Sequence, residues 1–133
     1  MESVNYQTTG GAGIHQPKFI SQKEQKIIVR AKSVSHILNM AEVTHLICDC
    51  YLTTLYSKSG GSVMVAKLLK EFDDELRDYG FIRVNRNAMV NVLHVVSIAN
   101  GRRRLVTLSN NATIEISRRG MARLKESVEV KSL

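Results

Sequence analysis

Eight arginines crowd the second part of this chain, and guanidinium groups at that density have one obvious chemistry, the holding of anions. Residues 80–133 carry Arg83, Arg86, Arg102, Arg103, Arg104, Arg118, Arg119 and Arg123, together with Lys125 and Lys131, against three acids, Glu115, Glu126 and Glu129. Residues 1–79 carry nine charges of each sign, so the whole net charge of +7 lies in the second part. A one-sided cationic field concentrates polyanions and speeds their capture. The planar guanidinium fork matches phosphate oxygens and guanine edges better than an ammonium does. Nucleic acid is therefore the first partner to consider.

Two placements cost energy if these arginines serve solubility alone. Asn100-Gly101 is a hairpin turn signal, and it opens into Arg102-Arg103-Arg104, three like charges close together. Ser117 reads as the N-cap of a terminal helix, which puts Arg118 and Arg119 in a first turn already made positive by the macrodipole. A phosphate at such a helix start offsets the repulsion. Other chemistries lack their residues. His15, His36, His45 and His94 are scattered and no CxxC accompanies them, so no metal site is expected. Cys48 and Cys50 read as two small, buried or half-buried free thiols. The glycines of Thr8–Gly13 are not followed by the Gly-Lys-Ser/Thr of a phosphate loop. Ser117 has no base at a telling spacing, and the nearby pair His45 and Asp49 implies no reaction. Neither an enzyme nor a cofactor is expected.

The elements that must position the arginines read as mainly β. With 133 residues and 44% apolar content the chain fits one folded domain. Residues 1–25, polar and glycine-bearing with the only proline at Pro17, are expected to form a flexible leader, and 26–130 the domain. Strands are expected at Ile27–Arg30, Ser33–Leu38, Val43–Tyr56 (long enough for two strands or a bulge), Ser62–Val65, Phe81–Val84, Ala88–Ile98, Leu105–Leu108 and Thr113–Ile116. Turns fall at Lys58–Gly61 and Ser109–Asn111. Over 66–79, Leu68, Leu69, Phe72 and Leu76 recur at helical spacing, with Gly80 as the stop. The acids of that helix, Asp73, Asp74, Glu75 and Asp78, would repel DNA, so it is not a recognition helix. A short C-terminal helix buries Met121, Leu124 and Val128. No apolar run spans a bilayer and the N-terminus lacks the pattern of a signal peptide, which makes the cytoplasm the expected compartment.

On this framework the chain resembles the LytTR family of bacterial DNA-binding domains. The likeness runs from Phe81 through Arg83-Val84-Asn85-Arg86 to Val90-Asn91 and His94-Val95, then from a later turn and strand to Ile116-Ser117-Arg118-Arg119. The helix with Leu69, Phe72 and Leu76 and the earlier hairpin through Tyr51-Leu52-Thr53 fit the family's spacing. The family commonly has histidine at Asn85, serine at Asn87 and glycine at Asn111. Asparagine still bonds phosphate or adenine edges and tolerates the left-handed conformation.

The resemblance implies elongated antiparallel β-sheets and hairpins that insert loops into successive major grooves of double-stranded DNA. It implies a sequence-specific transcriptional regulator akin to response regulators, on repeated half-sites and with a homodimer on DNA as one arrangement. Carried over by position, the DNA-contacting residues are Tyr51, Arg86, Arg102, Arg103 and Arg119, with Arg118, Asn85 and Asn87 as further phosphate or groove contacts. Lys58, at another hairpin tip, is a further backbone contact, whereas Asn91 and His94 read as structural. Most members carry a receiver ahead of this domain. The roughly 25 residues before it here are too few for one, so a stand-alone domain is expected. Two other readings stay open from the residues: non-specific binding of RNA or other polyanions, and a small β-scaffold for protein interaction. Seven aromatics and no tryptophan supply few platforms for stacking single-stranded bases.

Overall fold

The computed structural model describes residues 19–128. The glycine stretch, Pro17, His15, Glu129 and Lys131 lie outside the described residues.

A two-stranded ribbon pairs β1 (Lys26–Arg30) with β2 (Ser35–Asn39). A five-stranded antiparallel sheet follows, from β3 (Val43–Asp49), β4 (Leu52–Ser57), β5 (Ser62–Val65), β6 (Phe81–Asn85) and β7 (Ala88–Asn91), in the order β5-β4-β3-β7-β6. A third sheet orders β10 (Thr113–Glu115), β9 (Arg104–Leu108) and β8 (Val95–Asn100). Helix α1 (Leu69–Leu76) joins β5 to β6, and α2 (Arg118–Ser127) ends the chain's described part. The expected mainly β architecture with two short helices is what forms.

The five-stranded sheet is the middle layer because β6, β7 and β3 are apolar on both faces. In β6, Phe81 points into one core while Ile82 and Val84 point into the other, as the two-residue period of a strand requires. The first core sets Leu46, Leu55 and Met89 against α1 and the β1–β2 ribbon, through Leu69, Phe72, Leu76, Ile27 and Val29. The second sets Val84, Ala88 and Val90 against the third sheet and α2, through Val106, Leu108, Ile114, Met121 and Leu124.

Local departures from expectation have local causes. Helix α1 begins three residues late because Thr53 Oγ1 donates to Lys67 O at 2.5 Å and Leu68 stays extended. The Glu71 carboxylate then accepts from Leu68 N–H at 3.1 Å, opening the helix. Gly80 supplies the expected left-handed stop, with φ of 94°. The run 88–98 is two strands, not one. Buried Asn91 accepts from Leu93 N–H and donates to Val43 O, which folds Val92–His94 into a 3-10 turn. Over 43–56 both alternatives occur, two strands and a bulge between Val43 and His45. Cys50 is exposed rather than buried or half-buried, since it turns the β3–β4 hairpin with φ of 57°. Phe19 and Gln22 fall in the stretch expected to be a leader, yet Phe19 packs on the second core and Gln22 is buried. Its Nε2 donates to Tyr79 O at 2.7 Å and to Asn91 Oδ1 at 2.8 Å.

Candidate nucleic-acid interface

Four segments meet on one flank of the sheets, tied together by hydrogen bonds at their ends. The β3–β4 hairpin turns through Cys50 and Tyr51, and Tyr51 is 78% exposed. Cys48 N–H donates to Asn87 O at 2.8 Å, which joins that hairpin to the β6–β7 turn carrying Asn85, Arg86 and Asn87. Asn85 Nδ2 donates to Glu115 O at 2.8 Å, joining the turn to the end of β10. Ser117 N–H and Oγ donate to Val84 O at 2.8 and 3.2 Å, so the start of α2 is fixed on β6. The β8–β9 tip is drawn in by Arg104 Nε, which donates to Ile116 O at 3.1 Å, and by the return bond from Ile116 N–H to Arg104 O.

Helix α2 owes its place to Ser117 and Gly120. Ser117 Oγ caps the helix by accepting from Gly120 N–H at 2.9 Å. A Cβ at Gly120 would sit 2.0 Å from Val84 O, so only glycine lets the first turn approach the strand this closely. The turn therefore presents Arg119 on the same cleft as Arg86. Asp73, Arg83, Asn85, Arg86, Ser117, Arg119 and Arg123 line one open cleft of about 540 Å³.

The eight residues singled out from sequence are all at the surface here, in different states of engagement. Arg86, Arg102, Arg118 and Arg119 are exposed, and their guanidinium groups make no hydrogen bond or ion pair among the described residues. Arg103 forms a surface pair with Glu115 at 3.3 Å. The Asn85 amide is engaged at both ends, since its Oδ1 also accepts from Asn87 N–H at 2.7 Å. Asn87 and Tyr51 leave their side chains to solvent. Lys58 stands apart: its N–H donates to Glu42 O, just ahead of β3, so it lies at the opposite end of that strand from Tyr51, roughly 20 Å along it.

Asn91 and His94 are structural. Asn91 is fully buried, and His94 bonds Ser109 Oγ at 2.7 Å and Ala41 O at 2.6 Å. Sequence reasoning passed over Arg83 and Arg123 as site residues, although both line the cleft. Arg83 stands between the core residues Ile82 and Val84 of β6, and the fold brings α2 across it.

His45 belongs to the scaffold behind this flank. It stacks on Tyr56 with ring centroids 4.5 Å apart, and Thr44 Oγ1 sits 2.7 Å from its Nδ1. Burial lowers its pKa from 6.5 to about 4.

Among the described residues no helix is long and apolar enough to cross a membrane, and no group of His, Cys, Asp and Glu is placed to hold a metal ion. No match to a curated protein reaches significance. A LytTr DNA-binding domain from Bacillus cereus has the same fold, with a TM-score of 0.65 over 77% of this chain and 94% of that one, at 18% identity. The family model of the LytTr DNA-binding domain matches residues 33–129. That span takes in all four segments of the flank, and the chain belongs to the LytTR family of DNA-binding domains.

Proposed function

We propose that this protein is a cytoplasmic transcriptional regulator that binds double-stranded DNA sequence-specifically, without enzymatic activity. Arg86 and Asn87 on the β6–β7 turn, Tyr51 on the β3–β4 tip and Arg119 on α2 reach base edges. Arg102, Arg103 and Arg118 hold backbone phosphates, and Asn85 braces the turn while leaving one amide N–H for a phosphate. The observation that carries this reading is the set of four guanidiniums, unpaired among the described residues, on segments bonded end to end along one flank. A two-residue hairpin tip and a helix end are narrow enough for a major groove about 12 Å wide. Tandem half-sites, with two copies side by side on DNA, fit so small a footprint.

Selection from a random duplex pool tests the reading and gives the half-site spacing. On the selected duplex, Arg86→Ala and Arg119→Ala should each lose roughly 1–3 kcal/mol and relax base preference locally. Arg102→Ala should weaken all duplexes alike and lower the salt slope by about one. A pool that converges on nothing, with RNA competing as well as duplex DNA, would favour non-specific polyanion binding instead. Tyr51 is the one exposed aromatic side chain among the described residues, which leaves little for stacking single strands.

A further inference from the structure

Arg83 is built into β6 at a cost that strand formation does not explain. Its side chain is half-buried, and its Nε is buried without a hydrogen-bond partner. It shares its cleft with three further cations, Arg86, Arg119 and Arg123, and with one acid, Asp73. A buried, unmatched donor on a charged side chain is destabilising unless that side chain secures something else.

What it secures is visible in two bonds. The Arg83 terminal nitrogen donates to Arg86 O at 2.7 Å. The Arg83 carbonyl accepts from Arg123 Nη1 of α2 at 3.4 Å. Between Arg83 and Asn85 the β6–β7 register shifts, so the ladder does not by itself set the shape of the turn that follows. The guanidinium reaches across that irregularity and fixes the turn by its backbone.

We infer that Arg83 is a positioning residue for DNA recognition: its side chain holds the Arg86 turn and its carbonyl receives α2, which sets Arg86 and Arg119 at a fixed spacing. This rests on the function proposed above, since it assigns how the reading groups are aligned. Its Nε is buried and its Nη2 is engaged on Arg86 O, so holding the turn is the role its bonds show, and the salt slope separates that role from a phosphate contact.

The experiment uses the full chain as Arg83→Met, Arg83→Lys, Arg86→Ala and the Arg83→Met/Arg86→Ala double variant. Affinity is measured for a selected duplex and a scrambled one over a salt series. Arg83→Met should lose about tenfold on the selected duplex and little on the scrambled one, with the salt slope unchanged. The double variant should be no weaker than Arg86→Ala alone, and Arg83→Lys should recover part of the loss. Equal loss on both duplexes with a slope smaller by about one would instead make Arg83 a phosphate contact, and additive losses would uncouple it from Arg86. Either result overturns the inference. If Arg83→Met does not fold, Arg83→Lys is judged by the same split between loss of preference and loss of slope. Amide exchange at Asn87 in the free protein separates this inference from the parent one. Arg83→Lys should speed that exchange even if the wild type prefers no duplex, and unchanged exchange would sink the positioning role.

Discussion

Substituting Gly120 by alanine sets two physical effects against each other with opposite signs. Helix propensity alone favours alanine over glycine by up to about 1 kcal/mol. The fold opposes it, because the new Cβ would stand 2.0 Å from Val84 O and 2.5 Å from Val84 C, both backbone atoms of β6. No rotamer relieves a backbone clash, so α2 must lift off the strand. Lifting it strains two bonds to Val84 O, from Ser117 N–H and Ser117 Oγ, worth about 1 kcal/mol each. It also loosens Met121 and Leu124 against Val84, about 1–2 kcal/mol more. After the propensity gain, the net loss is about 2–3 kcal/mol, or roughly 10 °C in melting temperature for a domain of this size. Thermal unfolding by circular dichroism measures it, with Ala122→Gly on the exposed face of α2 as a propensity control. On the DNA side, displacing the first turn moves Arg118 and Arg119 together, so duplex affinity should fall further than for Arg119→Ala alone. A Gly120→Ala protein as stable as the wild type, or more so, would refute the close approach of α2 to β6.

Two other perturbations test the scaffold. The neutral imidazole of His45 is the buried form, so the unfolded chain takes up the proton first as the pH falls below 6.5. Stability should be full above pH 6.5 and decline toward pH 4 by about 3 kcal/mol, with urea midpoints flattening over that window in His45→Gln. An unchanged pH profile in the variant would remove His45 as the cause. Gln22→Ala should lower stability by about 2 kcal/mol, because Tyr79 O and Asn91 lose buried partners. A urea midpoint equal to the wild type would mean that the segment before β1 adds nothing to the fold.

Much of the architecture was legible because its signals are short-range. Strand alternation, the helical spacing of Leu69, Phe72 and Leu76, the stop at Gly80 and the cap at Ser117 are all dihedral or periodic preferences spanning a few residues. Asn111 takes the left-handed conformation expected of it at the turn, with φ of 70°. Where reading failed, a distant partner had intervened. Gln22 looked like part of a polar leader until Asn91, 69 residues away, took its amide. The long strand over 88–98 broke because Asn91 also bonds Val43, 48 residues back.

Composition and spacing by themselves determined that the surplus charge is guanidinium, that it sits on turns and a helix start, and that the body carrying it is β. Which arginines stay unpaired, and that they share a flank, was decided by tertiary structure. Glu115 holds Arg103, Ile116 holds Arg104 and the Arg86 carbonyl holds Arg83, while Arg86, Arg102, Arg118 and Arg119 are left without such partners among the described residues. Charge belongs to a residue wherever it stands, but pairing depends on what the sheet order brings within about 3 Å, and that distance is written nowhere along the chain.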